Sequence, residues 1–486
     1  MTAPERGSIL VVDVGTSGLR AAVVQPDATV TAVHHRPLPP ASPAPGLVEF
    51  DPVTMAEAAL AVARAALAEA EPVAAVGITN QRASTVVWDR ATGEPVGPGL
   101  GWQDLRTVGD CLVWQGEGLR FAPNESATKV AHLLDAADPD RRRDLCVGTV
   151  DTWIAWHLSG GELHLTDQSN AAVTGLVVGD GSGWDDRALD ALRIPRAALP
   201  RIVDSTGVVG TATALDGSPP IAAMAGDQQA SLVGQGCVRP GMAKVTFGTG
   251  GMLDVCVGAE RPRFARQGGS GTFPIVAWRR DGTTTWGVEA IMLAAGANVE
   301  WLRDDLRVID SAEQSHDVAA ACETADGVVY VPALLGLGTP RWDYGARGTL
   351  LGITRGTGRP QLVRAVLEGV AQRGADLVEA AEADTGLTLP GLRIDGGMSG
   401  NPTFVQAVAD ATQRPVEVSP EREATTLGAG FLAGLAVGTW SGWDAVAETW
   451  RPQAVVEPAR ALDRDRWRDA VDRAAGWEPD LSAISF

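Results

Sequence analysis

The sequence predicts an α/β protein of two large domains, and three observations lead to this prediction. Apolar stretches of strand length alternate with longer stretches of helical periodicity along the chain. The 486 residues, 45 % of them apolar, exceed what one hydrophobic core usually holds. The third observation is a recurring unit, an apolar strand followed by an acidic residue among glycines, at Asp13, Asp227 and Asp395.

Individual elements are assigned from periodicity and from the positions of glycine and proline. Ser8 to Val24 is typical of a strand, a glycine turn and a second strand. Further strands are predicted over residues 73–78, 221–225, 245–250, 327–335 and 392–394. Helices are predicted over residues 55–70, 126–137, 289–302, 360–382, 401–412 and 425–436. Two acidic units precede Lys244 and one follows it, so we expect domains at 7–243 and 244–440 and a peripheral segment at 441–486.

Charge and composition exclude several classes of protein. The formal charge of −20 argues against a nucleic-acid partner or an anionic membrane, because both require a basic surface. The apolar stretches are far shorter than the roughly 20 residues that span a bilayer, and no signal peptide opens the chain. Five cysteines stand singly without a CxxC pair, which is typical of buried thiols in a reducing compartment. We therefore expect a cytoplasmic protein.

The basic residues are strongly biased. Of the 40 lysines and arginines, only Lys129 and Lys244 are lysines. Arginine is a broad planar fork and lysine a compact point charge, so a lysine is retained either by chance or where arginine does not fit. The bias alone does not separate these two explanations.

The first candidate site is the turn Gly15-Thr16-Ser17, which follows Asp13. Backbone N–H groups and hydroxyls in such a turn can hold phosphate oxygens, and Asp13 would face the same space and hold a hydrated Mg²⁺. Arg20 adds a cation on the next strand. An ordinary glycine turn between two strands explains the same pattern. There is no GxxxxGK motif, so a Walker-type nucleotide site is not expected.

Asp227 is the second candidate, in the stretch AGDQQA. A carboxylate directly after a buried strand could accept the proton of a hydroxyl that attacks phosphorus. The same residue could instead cap the helix that begins at Gln228. Both interpretations remain open on spacing alone.

Two further glycine turns complete the pattern. TFGTG, residues 246–250, could face the first turn and clamp a triphosphate from the other domain. Asp395-Gly396-Gly397, together with Asn401, offers a glycine-lined surface that a nucleoside could approach closely. Ordinary tight turns are again the alternative.

These motifs belong to a longer ordered series. Its stretches are DVGTSGLRA (13–21), GITNQRASTVVWDRATGEPVG (77–97), WQDLRT (102–107), GTVDTWIAWHLSGG (148–161), LTDQSNAA (165–172), AGDQQASLVGQG (225–236), GMAKVTFGTG (241–250), AGANVEWLRD (295–304), VPALLGLGTPRWD (331–343), GTLLGITRGTGRPQLVRAVLE (348–368), LRIDGG (392–397) and TTLGAGFLAGLA (425–436). In them the chain resembles the FGGY family of carbohydrate kinases, most closely its glycerol kinases. The resemblance runs from about Ile9 to Gly438.

The resemblance implies two actin-like (ribonuclease H-like) ATPase domains around a central cleft, and the transfer of phosphate from Mg-ATP to a hydroxyl of a small sugar or polyol. It also implies a homodimer or homotetramer. The implied general base is Asp227 and the implied Mg²⁺-side acid is Asp13. The implied nucleotide contacts are Thr16, Ser17, Arg20, Thr249, Gly296, Glu300, Gly397 and Asn401. The implied substrate pocket includes Arg82, Ala83, Trp102, Asn124, Asp227, Gln228 and Met252.

The pocket departs from the glycerol kinases at three positions. Those enzymes usually have a glutamate where Ala83 stands, a tyrosine at Asn124 and an aromatic residue at Met252. A carboxylate that binds a substrate hydroxyl contributes roughly 1.5–3 kcal/mol, or about 10- to 100-fold in affinity. We therefore expect a substrate larger than glycerol, a polyol or ketose of four or five carbons. A glycerol kinase with a rearranged pocket is the alternative.

Two other classes share part of the pattern. An actin-like or chaperone-like ATPase would have the acidic glycine turns but no use for the TNQR, WQDLRT and AGDQQA stretches. A catalytically silent sugar sensor would not need Asp13, Thr16, Asp227 and Thr249, all of which are present. A kinase is therefore the preferred prediction.

Overall fold

The computed structural model describes residues 7–179, 181, 183–420 and 423–484. Its strands are β1 Ile9–Val14, β2 Gly18–Val24, β3 Val30–Pro37, β4 Glu49–Phe50, β5 Ala75–Asn80, β6 Thr85–Asp89, β7 Gly99–Leu100, β8 Leu145–Thr149, β9 Leu165–Asp167, β10 Arg201–Val203, β11 Thr206–Thr211, β12 Pro220–Gly226, β13 Ala243–Phe247, β14 Gly251–Gly258, β15 Phe273–Arg280, β16 Thr283–Met292, β17 Val329–Val331, β18 Thr349–Leu351, β19 Leu392–Asp395, β20 Val416–Val418 and β21 Ala454–Val456.

The α-helices flank these strands. They are α1 Pro52–Ala68, α2 Val108–Gly116, α3 Ala127–Ala137, α4 Val150–Leu158, α5 Gln168–Ala172, α6 Asp186–Leu192, α7 Asp227–Gly234, α8 Ala297–Asp304, α9 Gln314–Ala320, α10 Arg359–Thr385, α11 Pro402–Thr412, α12 Ala424–Val437, α13 Trp443–Ala447, α14 Arg464–Ala474 and α15 Pro479–Ser482. No helix in the described part of the chain is long and apolar enough to cross a membrane.

One mixed sheet of 13 strands runs through both halves of the molecule. The N-terminal half has the order β3-β2-β1-β5-β12-β11, and the C-terminal half has β15-β16-β14-β13-β19-β20-β21. Each half therefore has an antiparallel meander next to parallel strands. Strands β11 and β15 join the halves through the pair Thr206 and Arg280.

Helices α7 and α12 cross at the junction of the halves. Helix α12, from the C-terminal part of the chain, packs against α7, β5 and β12 of the N-terminal half, while α7 also contacts β14. The crossing is made by glycines. A Cβ on Gly428 would lie 1.7 Å from the carbonyl oxygen of Ala230, and one on Gly234 would lie 1.9 Å from that of Ala424. The two helix backbones are therefore in direct contact.

Local sequence explains several helix ends. Asp51 caps α1 by accepting from the N–H of Val53, and Pro52 occupies the first position, where its missing N–H costs nothing. Helix α10 ends at Gly386, whose φ of 71° is in the left-handed region that favours glycine. The helices predicted from periodicity at 55–70, 126–137, 360–382, 401–412 and 425–436 are confirmed with small shifts of their ends.

One predicted helix is wrong in its first half. Residues 289–292 belong to strand β16, and the helix begins only at Ala297. Strand pairing explains the error. Strand β16 pairs with β14 along its length, and Glu289 stands opposite Asp254. The pairing partners lie far away in the sequence, so local periodicity did not reveal them.

The last segment of the chain is packed against the second half. Strand β21 pairs with β20 at the edge of the main sheet. Trp467 of α14 is buried, and its indole N–H donates to Asp376 of α10 at 3.0 Å. Four of the five cysteines are buried, Cys322 is half-buried, and all five are free thiols.

Candidate active site

The first phosphate-type turn joins β1 to β2. Asp13, near the end of β1, stands opposite Arg20 in the hairpin, and Arg20 Nε lies 3.8 Å from Asp13 Oδ2. The guanidinium also forms an ion pair with Glu423. Thr16 Oγ1 accepts a hydrogen bond from the indole N–H of Trp102 at 3.2 Å, and Ser17 is exposed. The turn thus brings Thr16 together with one wall of the predicted substrate pocket.

Asp13 is a buried carboxylate in an acidic neighbourhood. Burial raises its pKa to about 6, and the charge of Asp227 contributes in the same direction. The hydroxyl of Thr426, in α12, donates to Asp13 Oδ2 at 3.2 Å. A divalent cation would stabilise the ionised form of such a group.

Asp227 begins helix α7 at the end of strand β12. The N-cap of this helix is Gly226, so Asp227 is the first helical residue and not the N-cap. Its Oδ1 accepts from the N–H of Gln228 at 2.8 Å and lies 3.5 Å from Arg82 Nε. Burial raises the pKa of Asp227, while the charge of Arg82 opposes that shift. A carboxylate with a raised pKa is a stronger proton acceptor than a free aspartate.

Arg82 is the most constrained cation of the site. Its Nη2 donates to Glu289 Oε2 at 2.6 Å, which adds a contact from the C-terminal half. The remaining Nη1 is buried and has no hydrogen-bond partner among the described residues. A buried N–H without a partner is costly, and a substrate hydroxyl beside Asp227 could accept it.

Ala83 occupies an unusual backbone conformation. Its φ is 61°, in the left-handed region that non-glycine residues seldom adopt. Two buried hydroxyls hold the turn by donating to the carbonyl oxygen of Ala83, from Ser126 at 2.9 Å and from Thr85 at 3.1 Å. Strain of this kind persists where the surroundings fix it, which is common at functional sites.

The other predicted pocket positions differ in their surroundings. The carbonyl oxygen of Trp102 accepts a hydrogen bond at 3.0 Å from Lys129, which is fully buried and is not itself a predicted pocket residue. Asn124 is exposed, just before the helix that contains Lys129. Met252 is half-buried in β14, opposite Thr246 of β13.

A second turn, between β13 and β14, contains Thr249. The N–H groups of Ala295 and Gly296 donate to the carbonyl oxygens of Thr249 and Gly248, each at 2.8 Å. A Cβ on Gly296 would lie 2.7 Å from the Gly248 oxygen, so only glycine allows this approach. The structure thus brings Thr249 and Gly296 together.

The third glycine segment follows β19. A Cβ on Gly396, whose φ is 87°, would lie 2.5 Å from the carbonyl oxygen of Phe247, whereas one on Gly397 would meet nothing within 4 Å. Gly397 therefore borders open space. The Asn401 side chain accepts from the N–H of Phe404 at 3.1 Å and donates to Ser315 at 2.9 Å, and Glu300 is exposed on α8.

Sequence reasoning missed four residues that contact the predicted site. Glu289 binds Arg82, Asp254 pairs with Lys244, Thr426 binds Asp13, and Glu423 pairs with Arg20. A signal for Glu289 was present, because the preceding Thr283-Thr284-Thr285-Trp286 favours a strand over a helix. Nothing local marked Asp254 as a partner of Lys244.

Comparison with known proteins agrees with this architecture. The model of the N-terminal domain of the FGGY family of carbohydrate kinases matches residues 8–234, and that of the C-terminal domain matches residues 243–437. A glycerol kinase of Aromatoleum aromaticum is 42 % identical over 494 residues, covering 96 % of this chain and 99 % of the relative. Glycerol kinase 2 of Thermotoga maritima is 40 % identical, covering 97 % and 99 %.

Solved structures give the same result for the fold. A Plasmodium falciparum glycerol kinase with ADP superposes with a TM-score of 0.90 at 27 % identity, covering 99 % of each chain. A xylulose kinase of Brucella ovis superposes with a TM-score of 0.84 at 25 % identity, covering 98 % and 99 %. The predicted fold, two actin-like α/β domains, is confirmed.

Fold and site together define a phosphotransferase with an alcohol group as acceptor. The chain belongs to the FGGY family of carbohydrate kinases. It is an ATP-dependent kinase of the glycerol kinase type, and enzymes of this family use ATP with Mg²⁺.

Proposed function

We propose that the enzyme phosphorylates a hydroxyl group of a polyol or ketose larger than glycerol, with four or five carbons. One observation carries the proposal: the reactive groups Asp227 and Arg82 lie side by side and half-buried, while the neighbouring position 83 has a methyl group in place of a carboxylate. Asn124 and Met252 replace aromatic walls at two further positions. Smaller side chains on the pocket side leave room for additional carbons.

In the proposed reaction Asp227 accepts the proton of the attacking hydroxyl. The carboxylate is oriented by the N–H of Gln228 and by Arg82 Nε. Arg82 Nη1 donates to a second hydroxyl of the substrate, which fixes the reacting oxygen next to Asp227. Trp102 packs against the carbon chain. Closure of the two halves would exclude water, so that the alcohol and not water takes the phosphoryl group.

ATP is proposed to lie between the glycine turns. Thr16, Ser17 and Arg20 would contact the phosphates from one half, and Thr249 from the other. Gly296, Glu300, Gly397 and Asn401 would line the nucleoside. The open space beside Gly397 supports this placement.

The residues present fit Mg²⁺ held mainly by phosphates and water. Among the described residues no group of three or more acidic, His or Cys side chains could hold a metal alone. Mg²⁺ usually takes one or two carboxylates plus substrate phosphates, and Asp13 supplies such a carboxylate. When bound, the ion offsets charge on the transferred phosphoryl group.

The division of the chain at 7–243, 244–440 and 441–486 is part of the proposal, with the substrate on the first domain and the nucleotide on the second. So are a cytoplasmic location, a homodimer or homotetramer, and the absence of nucleic-acid or membrane partners. The acidic charge of −20 supports the last point. Light scattering on the purified enzyme measures the assembly.

A glycerol kinase with a rearranged pocket is the second candidate. The names of the curated relatives at 40–43 % identity favour it. In that case another side chain would have to replace the missing carboxylate at position 83.

A coupled ADP-release assay with Mg-ATP decides between the two. The panel contains glycerol, erythritol, four- to six-carbon polyols and ketopentoses. We expect one larger substrate to exceed glycerol in kcat/KM, and glycerol as the best substrate would reject the proposal. Asp227→Asn should lower kcat by about 10²–10⁴-fold, and a near-normal rate would remove Asp227 as the base.

A further inference from the structure

Three charged side chains form a buried row across the second half of the sheet. Lys244 of β13 stands opposite Asp254 of β14, which in turn stands opposite Glu289 of β16. The side chains of Lys244 and Asp254 are 0 % exposed, and Lys244 Nζ lies 2.8 Å from Asp254 Oδ2. Both ends of the row reach the other half of the protein. Glu289 binds Arg82, and Lys244 binds Gln228.

The surroundings of Lys244 match an ammonium group. Its Nζ has three oxygen neighbours: Asp254 Oδ2 at 2.8 Å, Gln228 Oε1 at 2.5 Å and Thr246 Oγ1 at 3.0 Å. The ammonium donates hydrogen bonds to Gln228 and Thr246 and forms an ion pair with Asp254, so its three oxygen neighbours match its three donors in number. A guanidinium would bring five donors in a rigid plane and leave some of them buried without a partner. This geometry accounts for a lysine in a chain whose basic residues are otherwise almost all arginines.

The acceptor on Gln228 connects this cation to the base. Gln228 directly follows Asp227, and its N–H donates to Asp227 Oδ1 at 2.8 Å. Thr246, the third acceptor, lies on the strand that leads into the turn of Thr249. Lys244 therefore holds the first turn of α7 against the strand that precedes the second phosphate-type turn.

We propose that Lys244 is a positioning residue for Asp227. By binding the side chain of Gln228, Lys244 holds the adjacent Asp227 carboxylate in place. The inference rests on the proposed role of Asp227 as the base. Beyond that role, the proposal states that Lys244, in the C-terminal half, fixes the position of the base in the N-terminal half. The nucleotide side and the substrate side then share one rigid contact.

The variants Lys244→Met, Lys244→Arg and Lys244→Met/Asp254→Asn test the proposal. Removing the cation alone leaves Asp254 buried and unpaired, which should lower stability strongly; the double variant removes both charges and should regain most of it. We expect kcat to remain about 10- to 100-fold below wild type in the stable double variant, with both KM values nearly unchanged. Lys244→Arg should lose activity as well, because a planar guanidinium does not fit among the three oxygen atoms around Lys244 Nζ.

A buried ion pair elsewhere provides the control. Arg373 Nη1 lies 2.6 Å from Asp376 Oδ2 within α10, and Arg373→Met should reduce stability without reducing kcat of the folded enzyme. Recovery of wild-type kcat in Lys244→Met/Asp254→Asn would show that Lys244 only balances Asp254, and would overturn the proposal.

Hydrogen exchange separates this inference from the proposed function. Amides of residues 227–230 should exchange about tenfold faster or more in the double variant than in wild type, whether or not a substrate is known. Faster exchange in an enzyme that phosphorylates no member of the panel would support the positioning role and reject the proposed substrate class. Unchanged exchange would overturn the positioning role.

Discussion

Glu289 accepts a hydrogen bond from Arg82 at 2.6 Å although the two residues are 207 positions apart in the sequence. The same guanidinium presents its Nε to Asp227 at 3.5 Å. The charge of Arg82 is therefore shared between two carboxylates, Asp227 of the N-terminal half and Glu289 of the C-terminal half. The position of Glu289 determines how much of that charge acts on the proposed base.

Replacing Glu289 tests this division directly. In Glu289→Gln the full charge of Arg82 acts on Asp227, so the pKa of Asp227 should fall. The acidic limb of the pH profile of kcat/KM should move to lower pH, and kcat/KM at neutral pH should fall about 10- to 100-fold. Steady-state rates from pH 5 to pH 9 check both effects. A limb that moves to higher pH would contradict the charge-sharing interpretation.

Ala83→Glu tests the origin of substrate choice. The turn at Ala83 is already held in the left-handed conformation by Ser126 and Thr85, so the new side chain should not need to reshape it. A carboxylate there should raise kcat/KM for glycerol by about 10- to 100-fold and lower it for the larger substrate. Ala83→Gln, of similar size but uncharged, is the control. Equal effects of the two variants would point to volume and not charge.

The buried carboxylate of Asp151 should make stability depend on pH. Burial raises its pKa to about 6, and the charge of Asp167 adds to the shift. The folded protein therefore holds a proton that the unfolded chain has lost, so this group's contribution to stability is present at low pH and disappears as pH rises through about 6.

Asp151→Asn removes that titration. Relative to wild type, the variant should gain about 2 kcal/mol in free energy of unfolding between pH 4 and pH 7. Urea unfolding of both proteins at several pH values measures the difference. Comparing the two cancels His164, whose pKa burial lowers to about 4 and whose effect has the opposite sign. A constant difference across this range would contradict the prediction.

Gly428→Ala tests the helix crossing. The added methyl would lie 1.7 Å from the carbonyl oxygen of Ala230, a backbone atom that cannot rotate away. The free energy of unfolding should fall by about 3 kcal/mol or more. Gly109 of α2 is the matched control, because a Cβ there would meet nothing within 4 Å, and Gly109→Ala should be neutral or stabilising. Similar stability of the two variants would show that the helices separate easily.

The sequence predicted the α/β class and the strand-end positions of Asp13, Asp227 and Asp395, because apolar runs and glycine turns are local signals. It did not predict the contacts of Lys244 with Asp254 or of Arg82 with Glu289. Those contacts depend on strand register between segments far apart in the chain, which no local pattern contains. The same limitation placed Glu289 in a helix.

The same difference between local signals and long-range contacts applies to the predicted site residues. The resemblance implies a nucleotide contact for Gly296, which stays a prediction, whereas its close approach to Gly248 is visible only in the structure. The nucleotide contact of Asn401 stays a prediction; in the structure its side chain caps α11 and binds Ser315. A polar side chain at a helix start has several partners available, and only the folded chain shows which it takes.

The glycine crossing of α7 and α12 also affects how the two halves can move. Where side chains interlock, a rotation of one helix over another requires them to change rotamer. At Gly234 and Gly428 the backbones touch with no side chains between them. The crossing can therefore keep the axes of the two helices at a fixed separation when the halves move, and Asp227 lies at the start of one of these helices.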